Sequence, residues 1–164
     1  MYSRVVVPLD GSPLAEEVLP YAEALAQRCN AELYLVEVVP LPTQVAGMGL
    51  GGAGDLGGAS PIVIDALASA LDTEVSQSKA YLERVSQQLK AKGLSVRWEV
   101  LRGSAASQII KFAQEKGGDL IAISSHGRSG LSRMFFGSVA DKVLRQSGLP
   151  VLVISPKGDG KGPV

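Results

Sequence analysis

The sequence predicts a single-domain α/β fold: an open, doubly wound parallel sheet of five strands in the order 3-2-1-4-5, with helices on both faces. Three observations point there. Short apolar runs alternate with longer segments of helical periodicity, in the order βαβ–loop–αβαβαβ. The run ELYLVEVV is apolar at odd and even positions alike, as a strand covered by helices on both sides must be. A chain of 164 residues, 46% of them hydrophobic, suits one core and not two.

The first strand is Arg4–Leu9 (RVVVPL), where a β-branched run favours extended backbone. Ser12 is placed to cap the next helix and Pro13 to fill its first position, where a missing N–H costs nothing. Leu14, Val18, Ala22, Leu25 and Ala26 recur at helical spacing, and Pro20 is expected to kink this helix without ending it. Glu32–Val39 is the second strand. Residues 41–62 then break the rhythm, because GMGLGGAGDLGGAS has little to pack and reads as a flexible insertion. Its literal GxGxxG, at Gly49, Gly51 and Gly54, lacks the strand–turn–helix setting of a dinucleotide fingerprint.

A long helix over residues 64–92, closed by Gly93, turns Leu82, Val85 and Leu89 inward and leaves Glu74, Lys79, Glu83, Arg84 and Lys90 in solvent. Residues 95–101 form strand three, with Trp98, like Cys29, a packing residue. Gly103 and Ser104 open a helix to residue 116 that carries Ala106, Ile109, Ile110 and Ala113 on one face, and Gly117-Gly118 stops it. Strand four covers residues 119–123. A last helix runs from a Ser138 cap to about Gln146, and residues 150–154 are strand five. The domain is thus residues 1–157, with 158–164 a loose tail.

Composition excludes several functions. Sixteen basic residues balance sixteen acidic ones, which leaves no global field for nucleic acid or an anionic membrane. One cysteine makes no internal disulfide, and no CxxC pair exists for zinc. No apolar run approaches the ~20 residues of a membrane span, nor is there a signal peptide, so a cytoplasmic location is expected. No GxxxxGK[ST] is present. His126 is the only histidine, so neither a histidine metal cluster nor a second Ser/His pair can be built.

In a sheet of this order, ligands sit beyond the carboxyl ends of the strands, where the strand order reverses, which narrows the search to the loops after strands one, two and four. Asp10, in PLDGS after strand one, is either a turn residue or a carboxylate that accepts hydrogen bonds from a ribose. After strand four comes SSHGRSGLSRMFFGSVADKVL. Gly127 and Gly130 free its backbone for close approach to a ligand. Gly137-Ser138 opens a helix, and Ser138 through Asp141 has the S-x-x-D form of a capping box. The first N–H groups of that helix lack intrahelical partners and make an anion site. Arg128, Arg133, Lys142 and Arg145 stand against Asp141 alone, a local net charge of +3. Phe135 and Phe136 read as core anchors of the turn. A capped corner that binds nothing fits the same spacing.

Over nearly its full length, from about Ser3 to Pro156, the chain resembles the universal stress protein family. The likeness rests on VVVPLDGS, LYLVEVV, LRGSAASQII, DLIAISSHGRSGLSRMFFGSVADKVL and PVLVI. The ATP-binding branch of that family is similar in carrying G-2x-G-9x-G-[ST] after strand four. Here the motif reads Ser124, Gly127, Gly137, Ser138, with serine in place of the first glycine.

The resemblance implies that ATP, with Mg²⁺, is the ligand. It implies Asp10 at the ribose, Pro8 and Val38 along the adenine, and Ser124, Ser125, His126 and Gly127 beside the sugar and α-phosphate. Arg128 and Gly130 belong to the same loop. Gly137, Ser138 and Val139 would offer backbone N–H groups and a hydroxyl to the β- and γ-phosphates. It further implies a homodimer through Val151–Ile154, an edge strand, and a role in stress response with a protein partner the sequence does not identify. No catalytic base is evident. Two other readings stay open: a slow ATPase with a divalent ion near Asp10 or Ser138, and a nucleotide-free interaction protein, which the altered first glycine favours. Were position 124 to need φ > 0, serine there would cost about 1–2 kcal/mol.

Overall fold

The computed structural model describes residues 1–41, 61–125 and 137–155, with the side chains of 61–64 outside that description. The glycine-rich stretch from Pro42, the segment from His126 to Phe136 and the tail beyond Ser155 therefore lie outside the described residues.

The elements run β1 (Arg4–Leu9), α1 (Pro13–Glu16), α2 (Leu19–Cys29), β2 (Glu32–Val39), α3 (Pro61–Ala91), β3 (Val96–Arg102), α4 (Ala105–Glu115), β4 (Leu120–Ser124), α5 (Ser138–Gln146) and β5 (Val151–Ile154). All strand pairs are parallel, in the order β3-β2-β1-β4-β5. The expected fold class is the one observed.

Period-two alternation divides the core between the two faces. Val5, Val7 and Leu9 of β1 join Leu33 and Leu35 of β2 beneath α2 and α3, where Val18, Leu82, Val85 and Leu89 are buried. On the other face, Val6, Tyr34 and Val36 pack with Ile109 and Phe112 of α4 and with Ala140 and Val143 of α5. The inward residues expected on the long helix are the ones that pack.

Local chemistry explains where boundaries moved. Ser12 caps α1 as expected, its Oγ accepting from the Ala15 N–H at 3.1 Å. Pro20 breaks the following helix outright. It has no N–H for the Glu16 carbonyl, and its ring crowds that carbonyl, so α1 ends at Glu16 and α2 restarts at Leu19 with Pro20 in its first turn. The long helix begins at Pro61, a residue suited to a first turn, and so takes in the end of the expected insertion. Ser104 is the N-cap of α4, though its side chain makes no capping bond.

The Gly117-Gly118 stop has two separate causes. Gly117 has φ +65°, the left-handed turn that ends a helix, whereas the constraint at Gly118 is space. A Cβ there would stand 2.8 Å from Val6 Cγ2 and 3.1 Å from the Ala113 carbonyl oxygen. Gly118→Ala should therefore cost about 1–3 kcal/mol of overpacking, read from urea midpoints. Combining it with Val6→Ala should recover part of that loss, and strict additivity would show that the collision is not the cause.

Candidate functional site

The ladder between β1 and β4 is short. It pairs Val5 with Leu120 and Val6 with Ile121 and goes no further. On the outer sides, β1 stays paired to β2 as far as Leu9–Glu37, and β4 to β5 as far as Ser124–Ile154. The two half-sheets thus part at their carboxyl ends, where the strand order reverses. Pro8 sits on the parting edge and brings no N–H to it.

A cleft of about 280 Å³ opens at this point. Pro8 and Asp10 follow from β1, Val38 from β2, Ser124 and Ser125 from β4, and Gly137, Ser138 and Val139 from the start of α5. These are eight of the residues expected from sequence, contributed by four separated segments. His126, Gly127, Arg128 and Gly130 lie outside the described residues. The cleft is also lined by Leu9, Ala15, Ala105, Ile109, Ile123 and Ala140, which sequence spacing did not place there. The usable signal was connectivity: α4 starts at the same end of the sheet, so its first turns must roof the crevice.

Each wall has a local reason. Asp10 Oδ1 accepts from the Ser12 N–H at 2.9 Å, a turn that sets up the α1 cap. The Ser125 N–H donates to the Ile154 carbonyl at 2.8 Å, and its own carbonyl accepts from the Gly137 N–H at 2.6 Å. That second bond closes the long loop at its neck. It also engages the Gly137 N–H expected to reach a phosphate, so the open donors are those of Ser138, Val139 and Ala140, which as first-turn groups have no intrahelical acceptor.

The capping box does not form. Gly137 is the N-cap, with no side-chain capping bond, and Ser138 is the first helical residue. The Asp141 carboxylate instead takes Arg145 Nε at 2.9 and 3.0 Å, one turn further on. Arg145 is therefore spent on its own helix, and Lys142 lies 3.4 Å from Ser107 Oγ. Ser124 ends a strand and is 94% buried, in extended backbone. Its position needs no φ > 0, so serine brings no backbone strain there.

Carboxylates gather on the other face of the sheet. The Tyr81 phenol is raised well above its ordinary 10.0, by burial first, then by the adjacent Glu16 carboxylate through its charge and hydrogen bonding, and last by the charges of Glu37 and Asp10. A phenol whose pKa is higher folded than unfolded binds more protons in the native state once pH exceeds about 10. Its contribution is complete below that pH and is lost as pH rises. The stability advantage of the wild type over Tyr81→Phe should hold steady from about pH 8 to about pH 9.5 and shrink as pH rises past about 10, read from urea titrations up to about pH 11. Parallel curves would refute the shift.

The fold and the cleft define a doubly wound α/β protein with a crevice at the switch point of its sheet. The model of the universal stress protein family matches residues 1–155. The chain belongs to that family. The universal stress protein MJ0531 of Methanocaldococcus jannaschii is 30% identical over 154 residues, which is 94% of this chain and 82% of that one. Among solved structures, the hypothetical protein MJ0577 superposes with a TM-score of 0.80 at 24% identity, covering 97% and 99% of the two chains. The universal stress protein from Archaeoglobus fulgidus in complex with dAMP does so at 0.61 and 23%, covering 93% and 97%. No helix among the described residues is long and apolar enough to cross a membrane.

Proposed function

We propose that the cleft binds ATP and that the protein acts as a nucleotide-responsive regulator. The observation that carries this reading is the convergence of Asp10, the Pro8–Val38 walls and the Ser138–Ala140 amides on one crevice where the half-sheets part. The apolar side, with Val38, Ile109 and Ile123, suits the faces of a purine. The start of α5 suits phosphates, because it combines unpaired amides with the positive end of the helix dipole. Asp10, whose Oδ1 accepts from the Ser12 N–H, suits the ribose hydroxyls as a carboxylate acceptor. A dAMP complex of a relative with the same fold supports an adenine nucleotide.

Mg²⁺ usually keeps its waters and leans on one or two protein oxygens besides the phosphates. Asp10 and Ser138 are oxygen donors of that kind in the cleft, and they would hold the ion that screens the phosphate charge. Asp10 is the only carboxylate among the described lining residues, which favours binding over hydrolysis. The edges of the sheet differ as well. β3 carries Arg97, Glu99 and Arg102, while β5 is the wholly apolar, half-buried run Val151–Ile154. Charged edges resist pairing and apolar ones invite it, so β5 is the seam of a homodimer.

Titration calorimetry with ATP and Mg²⁺ tests the nucleotide reading and should give saturable heat. Asn keeps the acceptor for the Ser12 N–H, so Asp10→Asn should lower affinity about 10-fold, or ~1.4 kcal/mol, with the melting temperature nearly unchanged. Absence of heat at millimolar ATP would sink the proposal. Steady phosphate release that Asp10→Asn abolishes would replace it with an ATPase.

A further inference from the structure

The cleft is short of positive charge for the ligand proposed above. Asp10 is the one charged side chain among its described lining residues, and it has the same sign as a phosphate. The cations nearest in the fold are mostly engaged. Arg102, at the end of β3, faces Asp72 at 3.7 Å, and Arg145 is held by both oxygens of Asp141. Lys142 differs. Among the described residues it meets no carboxylate, and its polar contact is Ser107 Oγ at 3.4 Å.

Its position is an unusual one for a lysine. Cations favour the C-terminal ends of helices and are opposed by the positive N-terminal ends. The Lys142 ammonium lies against the first turn of α4, which holds no acidic residue and whose N-cap Ser104 makes no side-chain capping bond. On its own helix Lys142 follows Ser138 at i,i+4, so the two share a face, and a helical side chain leans back toward the N-terminus. Both helices begin at the crevice, which Ala105 and Ser138 line. Two positive helix ends and an ammonium without a carboxylate thus converge beside one cleft. These charges repel one another until an anion joins them.

We propose that Lys142 is a specificity-determining residue of the nucleotide cleft, whose ammonium moves from Ser107 to the outer phosphates and selects triphosphates over monophosphates. The inference rests on the nucleotide reading of the cleft and deepens it. The ammonium has one helical turn to cross, about 5.4 Å, on a flexible four-carbon stem. A monophosphate, held beside Ser124 and Ser125, stops short of it.

The test is calorimetry on the full chain with ATP and with AMP, each in magnesium chloride, for the wild type, Lys142→Gln and Lys142→Arg. Position 142 is exposed on a helix and glutamine is a good helix former, so Lys142→Gln should fold normally. It should weaken ATP about 10-fold, the loss of one charge-assisted contact, and leave AMP within about 2-fold. Lys142→Arg should restore most of the ATP affinity, because it returns the charge. Wild-type binding of ATP that Lys142→Gln leaves undiminished overturns the proposal and spares the nucleotide reading. Equal weakening of ATP and AMP, or no recovery in Lys142→Arg, overturns it too, since either marks a structural role. A wild type that binds neither nucleotide overturns both readings together.

Discussion

Gly137→Val lowers the affinity for ATP by at least about 100-fold and leaves the helical content unchanged. The fold tolerates the substitution because Gly137 does not use glycine's freedom. Its backbone sits at φ −58° and ψ 147°, an extended conformation that valine adopts readily. Valine also keeps the N–H that donates to the Ser125 carbonyl, so the neck of the loop stays closed. What changes is the approach to α5. A branched side chain at the N-cap stands at the mouth of the Ser138, Val139 and Ala140 amides, on the wall where the proposed phosphates lie. Hydrogen bonds to charged groups are worth about 1.5–3 kcal/mol each, so losing two costs on the order of 3 kcal/mol, or a factor of about 100. Calorimetry with ATP beside a far-UV circular dichroism spectrum checks both halves. Unchanged affinity in a folded variant would remove the triphosphate from the start of α5. Lost affinity with lost helix would show that Gly137 serves the fold and not the ligand.

That residue also shows how far the sequence could be read. The strands, their order and the doubly wound class were legible because they rest on apolar periodicity, which many residues report together. Eight expected cleft residues meet because the strand order alone dictates which loop ends converge. Individual hydrogen bonds were not legible. Asp141 has the spacing of a capping partner and equally the spacing of an i,i+4 partner for Arg145, and only the orientation of α5 decides between them. Pro20 reads as a kink because periodicity continues past it, but apolar spacing survives a break when the second helix packs on the same face. The roof residue Ile109 looks like ordinary core in the sequence, and it is core at its inner side. Glu37 and Glu74, far apart in the chain, line one cavity only through the packing of α3 on β2, which no sequence signal reports.

The same packing makes Leu82→Ala a severe core substitution, with an expected loss of about 2–5 kcal/mol of stability. Helix α3 is long, but its early turns do little to hold it down. Residues 65–70 are all exposed, and burial begins only at Val75. Attachment therefore rests on Val75, Leu82, Val85 and Leu89, of which Leu82 is fully buried, with the Trp98 indole adding a bond to Glu83 at 2.6 Å. Truncating Leu82 leaves a void in the middle of that attachment, where β2 and β3 cannot close in without breaking their ladder. Urea unfolding measures the loss. Its effect on the cleft should be small. The nucleotide cleft takes no described residue from α3, so ATP affinity at low temperature should stay within about 3-fold of wild type. A larger loss of ATP affinity in a folded sample would mean that α3 also organises the crevice.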